Sequence, residues 1–427
     1  MKHKFTDAAR DTFGSFQHRN FRLFFGGQTI SQVGNWLTLV AQTLLVLKLT
    51  GSGVMVGLLT ACQFAPVLLL GAWAGLVADR SDKRRLLMIV QVFAMAQSFV
   101  LAALAFMDSP PVAAIFGVAF LGGIATAFDN PARRAFVVEM VPEERVSNAV
   151  SLNSALMTGS RIVGPALAGL LIGTVGYGWC FALDGISYLA VLLGYWLMRS
   201  DEFRSPAIAP KGKGQIREGL RYARSVPDLW IPLVMMAVIG TLSFNFQVVI
   251  PLLVKRTFHS GDSAFTLLFS VISVGSLVGA LATARRKEIT IRHVVVAAAA
   301  FGASMLVLAA APSLAIAFPF GLVVGTASIS FMTASTAIVQ LRSDPMMRGR
   351  VLALQAIVFL GSTPIGGPIL GTVSDWLGAP AGIALGGLAA VGAAAWGHLA
   401  ARRIPHLEDR ETPLGTGPVA GAELQTA

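Results

Sequence analysis

Charged residues are scarce in this sequence. Asp, Glu, Lys and Arg make up 13% of the 427 residues, whereas soluble domains usually carry about 25%, and 55% of the chain is hydrophobic. The mean hydropathy is +0.69. These values exclude a water-soluble globular protein and indicate an integral membrane protein. Because the few charges are concentrated in short connectors between long neutral runs, a disordered or fibrous chain is excluded as well.

Cysteine and histidine are too few for the sites that they usually build. The two cysteines, Cys62 and Cys180, both lie in apolar stretches, which excludes a disulfide framework or a cysteine metal site. The six histidines are scattered along the chain, and no phosphate-binding loop of the Walker A type occurs. We therefore expect no metal, no cofactor and no ATP hydrolysis by this chain.

Long neutral runs are abundant, and each is a candidate membrane span. Eight of them hold 20 to 30 residues without a charged side chain, and a helix needs about 20 apolar residues to cross a bilayer. Residues 146–198 and 293–341 are longer, and a turn divides each of them into two further spans. The sequence thus predicts an all-α integral membrane protein with twelve transmembrane helices.

Positive charges collect on one side of the predicted spans. Of the 33 Lys and Arg residues, 29 fall in the N-terminal arm, in alternate connectors and at the C-terminal end. The positive-inside rule makes this side cytoplasmic, with both termini inside the cell and the protein in the inner (plasma) membrane. The net charge of +11 then reflects topology, so we expect a monomer in the lipid bilayer and no nucleic-acid partner.

The two halves of the chain repeat one pattern at an offset of 203 or 204 residues. The matched pairs are Gly71 and Gly275, Gly75 and Gly279, Pro142 and Pro345, Arg145 and Arg348, Gly164 and Gly367, and Pro165 and Pro368. Near-equal offsets at separated places indicate two pseudo-symmetric bundles of six helices each. Parallel repeats of this kind place a substrate pathway at their interface near the bilayer midplane.

This repeat predicts five segments. They are a cytoplasmic arm over 1–22, bundles over 23–198 and 229–402, a polar linker over 199–228, and a disordered cytoplasmic tail over 403–427. Within the linker, three apolar residues share one helical face beside three arginines. This pattern favours an amphipathic helix on the anionic inner leaflet over a solvated loop. The six residues are Ile216, Leu220, Ala223, Arg217, Arg221 and Arg224.

The connector after the second span has a distinctive pattern, in which Gly75 precedes the pair Asp79-Arg80 and a basic cluster ends at Arg85. It resembles the loop of the major facilitator superfamily of secondary transporters, and the resemblance covers nearly the whole chain. Asp82 stands where the family has a second glycine, and Thr283 replaces Asp79 in the second half.

The resemblance implies that Asp79 helps to hold a cytoplasmic gate closed, whereas an ordinary positive-inside loop is the alternative. The expected gate residues are Gly75, Asp79, Arg80, Arg84, Asp129, Arg133 and Arg134.

The fifth span carries a second motif of small residues. Gly159, Gly164-Pro165 and Gly169 resemble the motif of exporters that exchange substrate for protons, and Gly367-Pro368 repeats it in the eleventh span. Plain small-residue packing is the alternative. With the runs 128–133 and 183–188, these residues are similar to the branch of siderophore (enterobactin-type) exporters and macrolide efflux permeases.

The arginine that many proton-driven exporters carry on the fourth span is missing here, since Val118 and Ala119 occupy the candidate positions. Arg161 and Asp184 are the charges that remain inside spans five and six. A lone charge there is costly and persists when it is paired or functional. We expect an Arg161–Asp184 pair, which is either responsive to protons or substrate or a static strut.

Uncharged polar residues within the spans are the candidates for a substrate cavity. Four of them share one face of the first span, and Trp36 lies beside them. Interhelical hydrogen bonding is the alternative role for each. The candidates are Gln28, Gln32, Asn35, Gln42, Gln63, Asn153, Asn245 and Gln247.

These patterns together favour a secondary active transporter that exports an amphipathic small molecule, such as a drug, macrolide or siderophore, in exchange for protons. A proton-coupled uptake symporter is the alternative. A membrane enzyme or scaffold is the third interpretation, and it lacks a catalytic constellation in the sequence.

Overall fold

The computed structural model describes residues 13–204, 215–286 and 288–403. All regular secondary structure in these segments is helical, and twelve helices are long and apolar enough to cross a membrane. The predicted fold class and number of spans are therefore confirmed. Parts of the expected arm, linker and tail lie outside the described residues, namely 1–12, 205–214 and 404–427.

The first bundle contains six helices. They are α1 (Arg19–Thr50), α2 (Gly53–Arg80), α3 (Lys83–Ala105), α4 (Val112–Glu139), α5 (Val146–Thr174) and α6 (Tyr177–Leu197). Helix α1 packs on α5 and α6, α2 packs on α4, and α3 lies against both α4 and α6. The faces of α1, α3, α4 and α6 thus meet inside this bundle.

The second bundle follows the linker helix α7 (Gln215–Ser225). It contains α8 (Pro227–Leu242), α9 (Phe246–Leu252), α10 (Asp262–Ala284), α11 (Ile291–Ala309), α12 (Leu314–Arg342), α13 (Pro345–Leu377) and α14 (Ala379–Arg402). Helices α8 and α9, with a π-helical turn over Leu253–Thr257, form one span. Helix α12 packs on α10 and α11, and α14 packs on α8 and α11.

Helix ends follow the local chemistry of their residues. Gly51, Gly176 and Gly378 adopt φ of 61°, 89° and 93° at the turns that end α1, α5 and α13, a region that glycine enters without strain. Asp82 accepts a hydrogen bond from the Arg85 N–H at 3.1 Å and caps α3 with an ordinary φ of −61°. The aspartate in place of a glycine therefore starts a helix here.

The linker helix α7 packs against the second bundle. Ala223 is fully buried in a cluster with Leu229 and Val351. Glu218 Oε1 lies 2.7 Å from the guanidinium of Arg350. Of the expected apolar face, Leu220 and Ala223 pack on the second bundle, where α7 contacts α8 and α13.

The two bundles meet along two helix pairs, α2 with α13 and α5 with α10. Along the first pair, Gly57 lies against the Gly367 backbone and Gly53 against Gly371. Because glycine has no side chain, the two backbones can approach closely at these positions. Because α2 and α13 run antiparallel, the contact begins at the end of the molecule away from the basic connectors.

Packing inside the second bundle generates a first prediction. A Cβ at Gly325 on α12 would overlap the Ile272 carbonyl of α10, so Gly325→Ala should destabilise the fold by about 1–3 kcal/mol through overpacking. Gly392→Ala on α14 is the matched control, since a Cβ there meets no atom within 4 Å. Thermal unfolding of both detergent-solubilised variants should show a lower Tm for Gly325→Ala alone. Equal Tm values would contradict the packing described.

Candidate functional site

A cavity of about 350 Å³ lies mainly within the first bundle. Trp36, Phe64 and Met157 supply apolar surface, and the rest of the lining is largely polar. The polar lining residues are Gln32, Asn35, Thr38, Gln42, Gln63, Gln91, Gln97, Ser98, Thr126, Asp129, Asn130, Arg133, Asp184, Tyr188 and Gln247. The cavity thus combines amide, hydroxyl and aromatic groups with two carboxylates and one guanidinium.

The strongest polar contact in the cavity wall lies on α4. Arg133 Nε is 2.9 Å from Asp129 Oδ2, and the Gln91 amide of α3 donates to Asp129 Oδ1 at 2.9 Å. Arg133 also donates to Asn130 Oδ1 at 3.1 Å. Charge-assisted bonds of this kind are strong away from water. Asp129 and Arg133, which we expected in the gate, therefore face the cavity, because one helical turn places both side chains on the inner face of α4.

Asp184 is the second carboxylate of the cavity and is only 1% exposed. Its Oδ2 accepts hydrogen bonds from Thr38 and Ser98, each at 2.7 Å, so α1 and α3 both hold this carboxylate of α6. Its Oδ1 has no hydrogen-bond partner among the described residues. A Cβ at Gly34 would lie 2.5 Å from Oδ1, so a larger residue on α1 would displace the carboxylate.

The predicted pair between Arg161 and Asp184 is not formed. Asp184 is held by α1 and α3, whereas Arg161 Nε is buried and has no hydrogen-bond partner in the part of the chain that the structure describes. The reason is topological. Helices α5 and α6 are adjacent in the chain, but α6 packs mainly on α1 and α3, and α5 packs on α1 and α10.

Five of the eight predicted cavity residues line the cavity: Gln32, Asn35, Gln42, Gln63 and Gln247. Several of them are fixed by one another or by neighbours. Gln63 donates to Gln42 Oε1 at 2.8 Å, and Tyr188 donates to Asn35 Oδ1 at 2.8 Å. These bonds hold amide groups of α1 and α2 toward the open volume.

The other three candidates lie elsewhere among the described residues. Gln28 donates to the Tyr195 hydroxyl at 3.0 Å, and Asn245 donates to the Thr241 carbonyl at 2.7 Å. Asn153 lies on α5 outside the cavity lining, with its side-chain oxygen buried and unbonded. The side chains of Gln28 and Asn245 therefore form hydrogen bonds between helices or within a span. This is the alternative role that the sequence left open.

Sequence reasoning missed the polar face of α3. Gln91 and Ser98 are seven residues apart, so they share one helical face that lines the cavity, and Gln97 lies beside them. This spacing was a usable signal. The polar face is hard to recognise in the sequence, because the neutral run that contains it also satisfies the requirement for a plain membrane span.

The end of the molecule away from the basic connectors is sealed by Asp375, near the end of α13. Its carboxylate accepts from the backbone N–H of Gly53 at 2.7 Å and of Val54 at 3.0 Å, and from the Ser52 hydroxyl at 2.8 Å. It also lies 2.7 Å from the Arg256 guanidinium. A carboxylate at the N-terminus of α2 is stabilised by the orphan N–H groups there. We call these contacts the Asp375 seal.

A second contact between the bundles lies at the same end. The Tyr177 hydroxyl at the start of α6 donates to Asp262 Oδ2 at 2.6 Å, and Lys255 Nζ lies 2.5 Å from Asp262 Oδ1. Beside it, Gly169 of α5 lies against Thr266 of α10.

Two of the four glycines in the predicted exporter motif, Gly169 and Gly367, lie in these interfaces. Gly164 contacts the Trp36 side chain, and Gly367 contacts α2 at Gly57. Pro165 is buried inside α5, and Pro368 lies inside α13. Gly159, in contrast, faces open space, since a Cβ there would meet no atom within 4 Å.

Helices α2 and α13 separate toward the basic connectors. Gly361 contacts Leu68, but a Cβ at Gly71, Gly75 or Gly349 would meet no atom within 4 Å. The close glycine contacts between α2 and α13 therefore extend from the Asp375 seal to Leu68, and these three glycines nearer the basic end make none. In this conformation the expected gate glycine, Gly75, faces empty space.

The other expected gate residues lie near the basic end. Asp79 and Arg80 are the last two residues of α2, and Arg134 follows Arg133 on α4. Arg84 donates to the carbonyls of Tyr195 at 2.7 Å and Trp196 at 2.9 Å. Arg84 therefore caps the C-terminus of α6 within the first bundle.

The chain matches one family model along most of its length. The model describes a transmembrane secretion effector (MFS_3), and it covers residues 10–415.

Curated relatives share about a quarter of their residues with this chain. The staphyloferrin A transporter of Staphylococcus aureus is 25% identical over 263 residues, which are 61% of this chain and 66% of that protein. Macrolide efflux protein A of Streptococcus pyogenes is 23% identical over 85% of this chain and 92% of its own. The multidrug efflux pump Tap of Mycolicibacterium fortuitum is 26% identical over 81% and 87%. The match thus spans just under two thirds of the first relative.

Solved structures share the fold at low sequence identity. A bacterial homologue of the human lysosomal transporter Spinster, inward-facing and unoccupied, gives a TM-score of 0.69 at 18% identity, over 92% of this chain and 98% of that chain. A POT family transporter in complex with a thioalcohol-conjugated peptide gives 0.75 at 10% identity, over 91% and 97%. These likenesses show the fold alone.

The Asp375 seal generates a second prediction. Asp375→Asn removes the charge at the N-terminus of α2, and weakening its charge-assisted hydrogen bonds costs about 1–2 kcal/mol, which would open the seal roughly tenfold more often. Thr60→Cys, at a position on α2 that is 2% exposed and lies against Gly367 of α13, reports on opening when Cys62 and Cys180 are replaced by Ala. Maleimide should label Thr60→Cys about tenfold faster in the Asp375→Asn background.

The matched control is Glu202→Gln, which removes a carboxylate from a surface pair with Arg199. It should leave the labelling rate unchanged. Equal rates in the Asp375→Asn and Glu202→Gln backgrounds would show that Asp375 does not hold this end closed.

Proposed function

Because the chain belongs to the transmembrane secretion effector family of the major facilitator superfamily, we propose that it exports an amphipathic small molecule across the bacterial inner membrane by proton antiport. Membership in this family confirms the resemblance inferred from the sequence motifs. The protein is a multi-pass membrane transporter, and the substrate class, the direction and the coupling ion are our proposals.

The position of the cavity is the observation behind the proposed direction. Its lining extends along α4 from Ala119 to Arg133, toward the end of the molecule that bears the basic connectors, while the Asp375 seal joins the two bundles at the other end. The positive-inside rule assigns the basic end, with both termini, to the cytoplasm. An exporter binds its substrate in such a cytoplasm-facing state. Relatives named for macrolide efflux and multidrug efflux support export over uptake.

The lining of the cavity supports an amphipathic substrate. Amide groups such as Gln42 and Gln63 can donate or accept hydrogen bonds, and Trp36 and Phe64 offer apolar faces. Its volume falls within the range of about 300–1,000 Å³ that is typical of sites for small organic molecules. Only one guanidinium, that of Arg133, lines the cavity, and Asp129 already neutralises it, which disfavours a strongly anionic substrate such as a sugar phosphate.

Asp184 is the proposed proton carrier. It is enclosed at the depth of the cavity, it touches both α1 and α3, and one of its oxygens is unbonded. An ionisable group at such a place is a functional candidate in a membrane protein. Protonation of this carboxylate would change how it holds Thr38 and Ser98, and so would couple the proton to the packing of α1 on α3.

Alternating access would proceed by rocking of the two bundles. In the opposite state the Asp375 seal separates, and α13 approaches the Gly71 and Gly75 face of α2, which is empty here. Asp79 and the basic residues near it would then form the cytoplasmic gate. Because glycine has no side chain, Gly71 and Gly75 would allow the same close approach that Gly57 and Gly367 show at the other end.

Transport in inside-out membrane vesicles tests the proposed function. With an acidic lumen, wild-type vesicles should accumulate at least one of three probes, namely ethidium, a 14-membered macrolide or iron-free staphyloferrin A, and a protonophore should abolish it. Asp184→Asn should lower proton-driven accumulation about tenfold or more while leaving substrate exchange without a pH gradient intact. The matched control, Asp108→Asn, changes an exposed turn residue and should transport normally.

Two outcomes would overturn parts of this proposal. Unchanged pH dependence in Asp184→Asn would remove Asp184 from coupling. Uptake of a nutrient by right-side-out vesicles, with no probe accumulated by inverted ones, would favour the symporter.

The proposed cytoplasmic gate makes a separate prediction. Gly75→Leu should block the approach of α13 and trap the cytoplasm-open state, so that ethidium or macrolide binding persists while transport falls about tenfold or more. Gly117→Leu, where a Cβ also meets no atom within 4 Å, is the control on α4. Binding by fluorescence and transport in proteoliposomes separate the two effects. Normal transport by Gly75→Leu would exclude this gate.

A further inference from the structure

A second cavity of about 600 Å³ lies at the basic end of the second bundle, between α10, α11 and α12. Helix α12 packs on both of the other helices and forms the floor of this cavity. Small and apolar residues line its inner part, and charged residues line its mouth. None of its lining residues belongs to the first cavity or to the Asp375 seal.

The mouth is predominantly cationic. Arg286 and Arg292 lie on either side of it, His293 lies beside them, and Glu288 is the one carboxylate in the lining. The Thr290 N–H donates to His293 Nδ1 at 3.1 Å, which leaves the proton of a neutral ring on Nε2 as a further donor. Two guanidiniums and the start of α11 therefore offer hydrogen-bond donors to an anion.

The repeat in the sequence explains why acidic residues are scarce at this mouth. At the offset of 204 residues, Thr283 takes the place of Asp79 and Arg286 takes the place of Asp82. Thr283 is buried, and its hydroxyl donates to the Gly279 carbonyl at 2.8 Å. The second bundle has thus lost both acidic residues of the first connector, and it keeps a basic cluster at the corresponding end.

The inner part of the cavity faces the membrane. Val296 of α11 is 58% exposed and Val323 of α12 is 49% exposed, although both line the cavity. In a chain that spans a membrane, such exposed apolar surface borders lipid. Ala297, Ala300 and Ala327 leave a groove between the helices rather than filling it. The cavity is therefore open to acyl chains along its length. A water-soluble anion would bind at the mouth and leave this groove unoccupied.

We infer that this cavity binds an anionic phospholipid, with the phosphate between Arg286 and Arg292 and one acyl chain in the groove between α10 and α11. Basic pockets between transmembrane helices on the cytoplasmic side are suited to such headgroups. The phosphate supplies the negative charge that Asp79 and Asp82 supply in the first bundle. The same chemistry could attract free phosphate, but the lipid-facing groove favours the lipid.

Lipid binding to the purified full-length protein in detergent tests this inference. Native mass spectrometry should show dioleoyl phosphatidylglycerol bound with an affinity about tenfold or more above that of dioleoyl phosphatidylcholine. The double variant Arg286→Gln with Arg292→Gln should reduce this preference to threefold or less. Arg348→Gln with Arg403→Gln removes two exposed arginines from the same end of the bundle and should keep the preference.

A second variant tests the acyl-chain groove without changing charge. Ala297→Trp should weaken phosphatidylglycerol binding at least fivefold by filling the groove, while the Tm without lipid stays within a few degrees of wild type.

Three outcomes would overturn the inference. They are equal affinity for the two lipids, an undiminished preference in the Arg286 and Arg292 double variant, and displacement of phosphatidylglycerol by millimolar inorganic phosphate. The last outcome would assign the mouth to a soluble anion. All of these measurements are independent of transport, so they stand apart from the test of export.

Discussion

The carboxylate of Asp375 is the polar contact on which the closed end between the two bundles depends. It joins the end of α13 to the start of α2 by accepting two backbone N–H groups and the Ser52 hydroxyl, and it pairs with Arg256 of the seventh span. One carboxylate thus satisfies orphan donors of one bundle and a cation of the other. The close glycine contacts between α2 and α13 continue from this carboxylate to Leu68.

The contacts that join the bundles are suited to reversible opening. Close approach at Gly53 and Gly371 depends on small residues and adds little side-chain interlocking. The polar groups of the Asp375 seal lie at the membrane edge, where water can replace their partners when the helices separate. In contrast, the polar groups inside the first bundle are bonded within that bundle, so rocking can leave them in place. The contacts between the bundles therefore allow the bundles to move, and the contacts inside the first bundle keep the ligand site intact.

The sequence predicted features that depend on local composition. Neutral runs identified every span, and the doubled Gly-Pro motif located helices that meet at the interface. The row on α1 from Gln32 to Gln42 predicted part of the cavity, because residues at helical spacing share a face whatever their neighbours are.

Features that depend on which helices become neighbours were not predictable. Arg161 and Asp184 are close in the chain, yet α6 turns its carboxylate to α1 and α3. Asp375 bonds residues more than 300 positions away, and a lone acid near a helix end carries no local signal of such a partner. Helix adjacency in the fold, and not in the chain, decided each of these cases.

The central claim is that the two ends of the molecule open alternately. Double electron–electron resonance on the protein in nanodiscs tests it most directly, with one spin-label pair at Arg80 and Met346 and another at Leu49 and Trp376, all of them exposed. A shift of pH or addition of a transported probe should shorten one distance distribution and lengthen the other. Distances that change in the same direction, or only at one end, would contradict the account.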